Sequence, residues 1–276
     1  MDERFDLFWN GLDQLWQANI EHGLGNEYSL RGRVPTSFEE FDKVESLSVS
    51  HGNLDVLRYF KNLMRLSATQ VEIEDYTQIS NIVGLKTLNL ANSSLENLRF
   101  ILPLQQLTTL NISRTKVEDL EPLTELPKLS TLDISYTSTN MEPLTRCKNL
   151  KTLLANNCGF FASEVIGKLK KLKVLGIKNN QLDNLDFLGN LNNLECVWFT
   201  NVDKGVYSPS CKDGDLSVLR KLPKLQQIGC SPVEFAEIKF WFSQTVHFDV
   251  AGKEYVVENS SQYTLAEYKE MKKNTK

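Results

Sequence analysis

Leucine recurs at a nearly fixed interval through the middle of this 276-residue chain. Successive steps in the series are 22, 22, 22, 21, 22 and 22 residues, through Leu63, Leu85, Leu107, Leu129, Leu150, Leu172 and Leu194. Most of these leucines open the pattern Leu-x-x-Leu-x-Leu or Leu-x-x-Leu-x-Ile, as in Leu85-Lys-Thr-Leu88-Asn-Leu90. A unit of this length cannot bury its apolar face alone, so the spacing predicts repeats stacked on a shared core.

Each repeat has two halves with different periodicity. The first half alternates, with Leu110 and Ile112 inward and polar residues outward, which predicts a strand. The second half carries apolar residues three apart, such as Leu120 and Leu123, which favours a short helical or 3₁₀ return segment. The predicted fold is therefore an α/β solenoid: a parallel sheet lines the concave side, and short helical segments form the convex side.

The repeated signature resembles the leucine-rich repeat family over roughly residues 41–233, in about eight or nine turns. The segment from Leu120 to Leu129 is most similar to the bacterial internalins, and a regulatory subunit of protein phosphatase 1 has the same repeat class. The resemblance implies a horseshoe whose concave face is built from repeat positions 2, 3, 5, 7 and 8. It implies a buried asparagine at position 9, where this chain has Ser93, Thr115, Thr137, Cys158 and Asn180.

Both ends of the chain carry segments that can cover the ends of the stack. Residues 3–20 place aromatic and leucine side chains at helical spacing, which predicts one helix on the first strand; a membrane- or partner-docking helix is the alternative. Residues 245–258 predict a hairpin, and Thr264 with Glu267 predicts a capping box that opens a final helix. The predicted domains are an N-terminal helical cap (1–40), the repeats (41–233) and a C-terminal cap (234–276).

An insertion interrupts the regular spacing, because the step from Leu194 to Leu225 is nine residues longer than a repeat. The excess lies near residues 203–215 and is polar and rich in turn residues. Loops on a regular scaffold often carry contacts, although solenoids also tolerate neutral insertions.

Composition narrows the functional classes. No run of 18 apolar residues exists, and the start, Met-Asp-Glu-Arg-Phe, has neither a basic n-region nor an apolar h-region. These features predict a cytoplasmic chain without a membrane span, unlike the exported internalins. The five cysteines have no close pair spacing, which predicts neither a disulfide framework nor a zinc site.

No catalytic motif is visible. The three histidines stand in no recognisable catalytic or metal motif, and no glycine-rich phosphate loop follows a strand. Asp213-Gly-Asp215 lacks the alternating carboxylates and closing glutamate of an EF-hand loop. The sequence therefore predicts a chain that is not an enzyme, with no catalytic residue, metal or cofactor.

The concave positions carry the best candidates for binding. Large apolar and aromatic groups on a sheet face are typical anchors of protein interfaces. Basic residues also outnumber acidic ones there, which predicts an acidic surface on the partner. The predicted contact strip consists of Arg114, Asp133, Tyr136, Lys151, Leu154, Lys173, Lys178 and Trp198, with Tyr207 of the insertion at its edge.

The predicted function is protein binding in the concave groove by a chain that is monomeric when free. One hypothesis is an inhibitor or immunity-type protein that sequesters a toxin or effector domain; the other is a scaffold or regulatory subunit of an endogenous enzyme. Nucleic acid is a weaker alternative, since the formal charge is −4 and only two arginines are concave. Concave lysines that are merely solvated, without a partner, are a further alternative.

Overall fold

The computed structural model describes residues 3–12, 14–25, 35–49, 54–70, 75–158, 162–180, 182–203, 206–208, 211, 213–258 and 261–274. Within it the chain divides into two compact units. The N-terminal unit comprises Met1–Asp133 and Thr137–Pro143, and the C-terminal unit comprises Ile134–Tyr136 and Leu144–Lys276.

The N-terminal unit contains five parallel strands that pair in chain order. They are β1 (Ser46–Val49), β2 (Arg65–Ala68), β3 (Thr87–Asn89), β4 (Thr109–Asn111) and β5 (Thr131–Asp133). Leu88 pairs in register with Leu66 and Leu110, so one 22-residue step along the sequence is one strand across the sheet. The return segments are the short helix Thr77–Ser80 and the 3₁₀ helices Phe38–Lys43, Leu54–Tyr59, Arg99–Ile101 and Glu121–Glu125.

The N-terminal cap consists of two helices, α1 (Glu3–Gly11) and α2 (Gln14–Gly25), so the prediction of one helix over residues 3–20 is wrong. Both helices pack against the 3₁₀ helix Phe38–Lys43, and α2 packs against β1 as well. Phe5 of α1 lies edge-on to Phe38 and Phe41. Just after Gly11, the last residue of α1, the N–H of Leu12 donates to the carbonyl of Trp9.

The C-terminal unit continues the same repeat with β6 (Thr152–Leu154), β7 (Val174–Gly176) and β8 (Cys196–Trp198). In the insertion, β9 (Asn201–Asp203) and β10 (Val206–Ser208) form a separate antiparallel pair. Next, β11 (Gln227–Cys230) and β12 (Val246–Val250) extend the parallel sheet from β8, and β13 (Lys253–Glu258) and β14 (Ser261–Thr264) add to it antiparallel. The helical segments between and after these strands are Ser163–Ile166, Asp186–Asn190, Ser217–Lys221, Pro232–Ile238 and Leu265–Asn274, and the 3₁₀ helix Glu142–Arg146 precedes β6.

The helix Leu265–Asn274, called the C-terminal helix below, begins at the predicted capping box. The N–H of Thr264 donates to the Glu267 carboxylate at 2.7 Å, and the N–H of Glu267 donates to the Thr264 hydroxyl at 3.3 Å. The predicted hairpin is formed by β12 and β13, and β14 is an additional strand that the sequence did not predict. Among the described residues, none of the helices has the length and apolar composition that crossing a bilayer needs.

The leucines that define the repeat form the core of both units. All seven members of the series are at most 1% exposed, as is Leu225 in the last repeat. Full burial of a leucine side chain stabilises a fold by roughly 1.5 to 3 kcal/mol. The repeated position therefore supplies much of the driving force for folding.

A residue with left-handed backbone follows the strand at position 8 in most repeats. Its φ lies between 54° and 61° at Gln70, Asn92, Arg114, Tyr136, Asn157 and Asn179. The next side chain closes the turn. Asn180 donates to the carbonyls of Ala155 and Ile177 and accepts from the N–H of Cys158, whereas Ser93 and Thr115 each donate to one carbonyl. Amide and hydroxyl groups thus close the same turn with different numbers of hydrogen bonds.

Candidate functional site

The concave face of the C-terminal unit contains a row of position-5 residues in mutual register. Leu154 of β6 pairs with Gly176 of β7, Gly176 with Trp198 of β8, and Trp198 with Gly229 of β11. Leu154 and Trp198 are half-buried, while their sequence neighbours Leu153 and Val197 are fully buried on the opposite face. We call these four residues the position-5 row.

In the N-terminal unit the same repeat position supports the backbone. The side-chain oxygens of Asn89 and Asn111 accept hydrogen bonds from the N–H groups of Ala91 and Ser113, at 3.1 and 2.9 Å. A polar side chain at position 5 therefore closes the turn after its own strand. Leucine, tryptophan and glycine cannot make this bond, so the position-5 row serves another purpose than closing the turn.

Each glycine of the position-5 row lies beneath a large neighbour. A Cβ atom added at Gly176 would lie 3.0 Å from Cδ2 of Leu154, and one added at Gly229 would lie 2.0 Å from Cδ1 of Trp198. The leucine and the indole thus occupy the space that side chains at the two glycines would need. The result is a partly exposed apolar platform on the concave face.

Charged residues lie beside the position-5 row. Lys173 is 2.6 Å from the Glu195 carboxylate, and Lys178 is 4.0 Å from that of Asp249; all four side chains are partly exposed. Lys151 is exposed. Asp249 lies on the concave face because its strand partner is Gly229. The repeat pattern does not extend to this strand and so did not predict an acidic residue on that face. The positive excess on this face is therefore smaller than the sequence suggested.

The predicted contact residues divide between the two units. Arg114 and Asp133 belong to the N-terminal unit, and the remaining members belong to the C-terminal unit. Tyr136 is 45% exposed and its N–H donates to the carbonyl of Asn156, which places it beside β6. The structure brings together on one sheet Lys151, Leu154, Lys173, Lys178 and Trp198. Tyr207 is in β10, but its side chain lies outside the described residues.

The thiol on this face is not an activated nucleophile. Cys196 is half-buried, and its thiol donates to the Gln227 side chain at 3.0 Å. Burial, with a smaller contribution from the Glu195 carboxylate, raises the pKa of Cys196 to about 11. A thiol with this pKa is protonated at neutral pH. No group of three or more metal-ligating side chains occurs within the part of the chain that the structure describes.

The C-terminal helix lies over the concave side of the last strands. Strand register places His247, Val256 and Tyr263 on the same face as Cys196. The ring of Tyr268, from the C-terminal helix, packs against the rings of His247 and Tyr263, with centroid distances of 6.2 and 6.0 Å. Val256 is fully buried. The helix therefore covers one end of this concave face. The sequence pattern did not predict this placement.

Several solved structures are similar to this chain. Internalin C2 of Listeria monocytogenes has a TM-score of 0.62 and 23% identity, covering 79% of this chain and 93% of its own. Internalin F of the same organism has a TM-score of 0.51 and 16% identity, covering 82% and 87%. A leucine-rich repeat protein of Leptospira interrogans has a TM-score of 0.54 and 24% identity, covering 71% and 51%. Neither a family model nor a curated protein matches the chain.

These similarities concern the fold. They confirm the prediction, made from the 22-residue spacing, that the chain has a leucine-rich repeat fold of the internalin-like class. The sequence identities are too low to transfer a binding partner, so what the chain binds has to be argued from its own residues.

Proposed function

We propose that the chain is a non-enzymatic protein-binding module that holds its partner on the concave face. The observation that carries this proposal is the position-5 row, where Leu154 and Trp198 replace polar residues that close turns in the N-terminal unit. A partly exposed apolar platform on a sheet face favours a role in contact with another molecule. Partly exposed aromatic side chains are frequent anchors in protein interfaces.

The proposed contact set keeps all the residues predicted from sequence. Its centre is the C-terminal unit, with Trp198 and Leu154 as apolar anchors and Lys151, Lys173 and Lys178 as the charged surroundings. The other residues predicted from sequence, Arg114, Asp133, Tyr136 and Tyr207, stay predicted contacts.

The test uses wild type and single-residue variants of the chain as baits for the partner. Wild type, Trp198→Ala, Leu154→Ala and Phe240→Ala are used to purify partners from the native cell, and captured proteins are quantified by mass spectrometry. Phe240 is a matched control because it is apolar and 52% exposed but follows the return helix Pro232–Ile238. Loss of a central anchor typically costs 2 kcal/mol or more, roughly thirtyfold in affinity.

The expected result is a partner that Phe240→Ala retains and that both concave variants lose. Titration calorimetry with the purified partner then measures the loss directly. Equal binding by all four baits would contradict a concave binding site.

In its narrower form the proposal is that the chain sequesters a toxin or effector domain, as an inhibitor or immunity-type protein does. The alternative is a scaffold or regulatory subunit of an endogenous enzyme. Both forms take the chain to be cytoplasmic and monomeric when free, which cell fractionation and light scattering test. Activity of the partner decides between them: an inhibitor abolishes it in the purified complex, whereas a scaffold leaves it active.

A further inference from the structure

Trp198 lies directly on the backbone of Gly229. A Cβ atom at Gly229 would be 2.0 Å from Cδ1, 2.9 Å from Cγ and 3.0 Å from Nε1 of the indole. Real Cβ atoms do not approach other atoms this closely. Because Cγ and Cδ1 are near the root of the tryptophan side chain, the ring could make room only by rotating to another orientation.

The backbone gives no other reason for a glycine at this position. Gly229 does not have the positive φ that Gly214 and Gly252 have, and it is paired in the middle of a parallel strand. A glycine inside a strand weakens the strand and often marks the close approach of another group. Here the approaching group is the Trp198 side chain.

Gly176 is related to Leu154 in the same way but under a looser constraint. An added Cβ there would lie 3.0 Å from the terminal Cδ2 methyl of Leu154, which can move by a small rotation, and 3.2 Å from the Asn156 side-chain oxygen, whereas the contact at Gly229 is 2.0 Å. The two glycines are therefore not equivalent: Gly229 sets the orientation of its neighbour, whereas Gly176 only leaves space for one.

Charges around the platform favour an acidic occupant. The concave residues of β6 to β12 and the turns after them include Lys151, Lys173 and Lys178, opposed by Glu195 and Asp249. Both carboxylates already face a lysine, and Glu254 of β13 adds a further acidic group beside Asp249. The excess of positive charge therefore lies over β6 to β8, where Lys151, Lys173 and Lys178 are opposed by Glu195. The 4.0 Å separation of Lys178 and Asp249 is at the limit for an ion pair, so a carboxylate of a partner can take the place of Asp249.

We propose that Gly229 is the positioning residue of the concave site. It lets the Trp198 ring lie against the β11 backbone, and the accessible part of the ring with Leu154 receives an apolar side chain of an acidic protein segment, whose carboxylates pair with Lys151 and Lys178. This inference rests on the proposed protein-binding function, and it adds the residue that orients the anchor and the chemistry of the segment that binds.

The probe is a phage-displayed library of random 12-residue peptides, selected on wild type. The expected peptides combine one aromatic or aliphatic residue with several aspartates or glutamates. Their affinity, measured by fluorescence polarisation with synthetic copies, is expected to fall at least tenfold in Trp198→Ala and in Gly229→Ala. It changes less than about threefold in Gly84→Ala, the glycine control outside the position-5 row, where an added Cβ atom has no neighbour within 4 Å.

A double variant separates an effect on orientation from a loss of folding. If Gly229 acts through the indole, Gly229→Ala has no further effect on affinity in the Trp198→Ala background. Near-ultraviolet circular dichroism and melting temperature of each variant report whether the fold is retained. Additive losses in the double variant would overturn the positioning role.

The remaining outcomes distinguish this inference from the proposed function. Peptides that lose affinity in Trp198→Ala but not in Gly229→Ala would overturn the inference and leave the concave site standing. Selection of basic peptides, or of none, would overturn the acidic occupant. Peptides that bind all variants equally would contradict both.

Discussion

At the scale of single residues, position 8 of the repeat has a left-handed backbone conformation, and one of its members, Tyr136, belongs to the candidate site. Asn92, Asn157 and Asn179 hold a left-handed conformation that asparagine adopts readily, whereas Tyr136 holds the same conformation with φ of 61°. A tyrosine there costs folding free energy that an asparagine would save. Because the Tyr136 side chain is also 45% exposed, this position favours a role in binding.

Replacement of Tyr136 by asparagine should therefore weaken binding without weakening the fold. We expect the free energy of unfolding to stay equal or to rise by up to about 1 kcal/mol, because the left-handed conformation becomes easier. Affinity for the captured partner should fall. Denaturant unfolding and calorimetry on the same sample measure both, and a clear drop in stability would instead assign Tyr136 a packing role.

At the scale of elements, one carboxylate links the C-terminal helix to the sheet through several hydrogen bonds. Glu258 accepts hydrogen bonds from Lys272 at 3.1 Å, Thr245 at 3.0 Å and Tyr268 at 3.3 Å. The Lys272 ammonium, followed by the Thr245 hydroxyl, holds the pKa of Glu258 below its ordinary value of 4.5. The same pair raises the pKa of Lys272.

The sign of these shifts predicts when the helix loosens. A carboxylate with a lowered pKa adds stability above its unfolded-state pKa and loses it as pH falls through the folded-state value. Glu258→Gln should therefore increase hydrogen exchange of the helix amides near neutral pH, and its difference from wild type should disappear as pH falls through the lowered pKa of Glu258. Glu270→Gln, an exposed change on the same helix, is the control. A difference that persists unchanged in acid would show that Glu258 does not dock the helix by its charge.

At the scale of the whole molecule, the same repeat carries two kinds of concave surface. In the N-terminal unit Asn89 and Asn111 close turns, and in the C-terminal unit Leu154 and Trp198 form an apolar platform beside lysines. Strand geometry is preserved in both, because the buried positions 1, 4 and 6 are kept. A solenoid can therefore change its exposed face without changing its core.

This separation predicts that charge reversal on the concave face affects association and not folding. Lys151→Glu should lower the association rate with an acidic partner several-fold, and the effect should shrink as salt is raised. Lys148→Glu makes the same change in net charge at an exposed site before β6. Surface plasmon resonance at two ionic strengths compares the two variants, and equal effects would mean that only net charge matters.

The sequence by itself determined the repeat, the strands and the core, because each of these depends on residues within one 22-residue unit. Leucine spacing placed the buried series correctly, and alternation identified the strands around Leu110 and Leu132. The division into caps and repeats, and the contact strip itself, stay predictions. Large residues alternating with glycine at position 5 were a visible signal, but their meaning depends on which strand lies beside which.

Only the tertiary structure decided how distant segments meet. The 31-residue step from Trp198 to Gly229 brings an indole onto a glycine backbone, and β12 adds Asp249 to the concave face. The C-terminal helix lies over Val256, on the concave side of the last strands. Local periodicity carries no information on these placements, because each results from packing between residues that are far apart in sequence and share no repeat pattern.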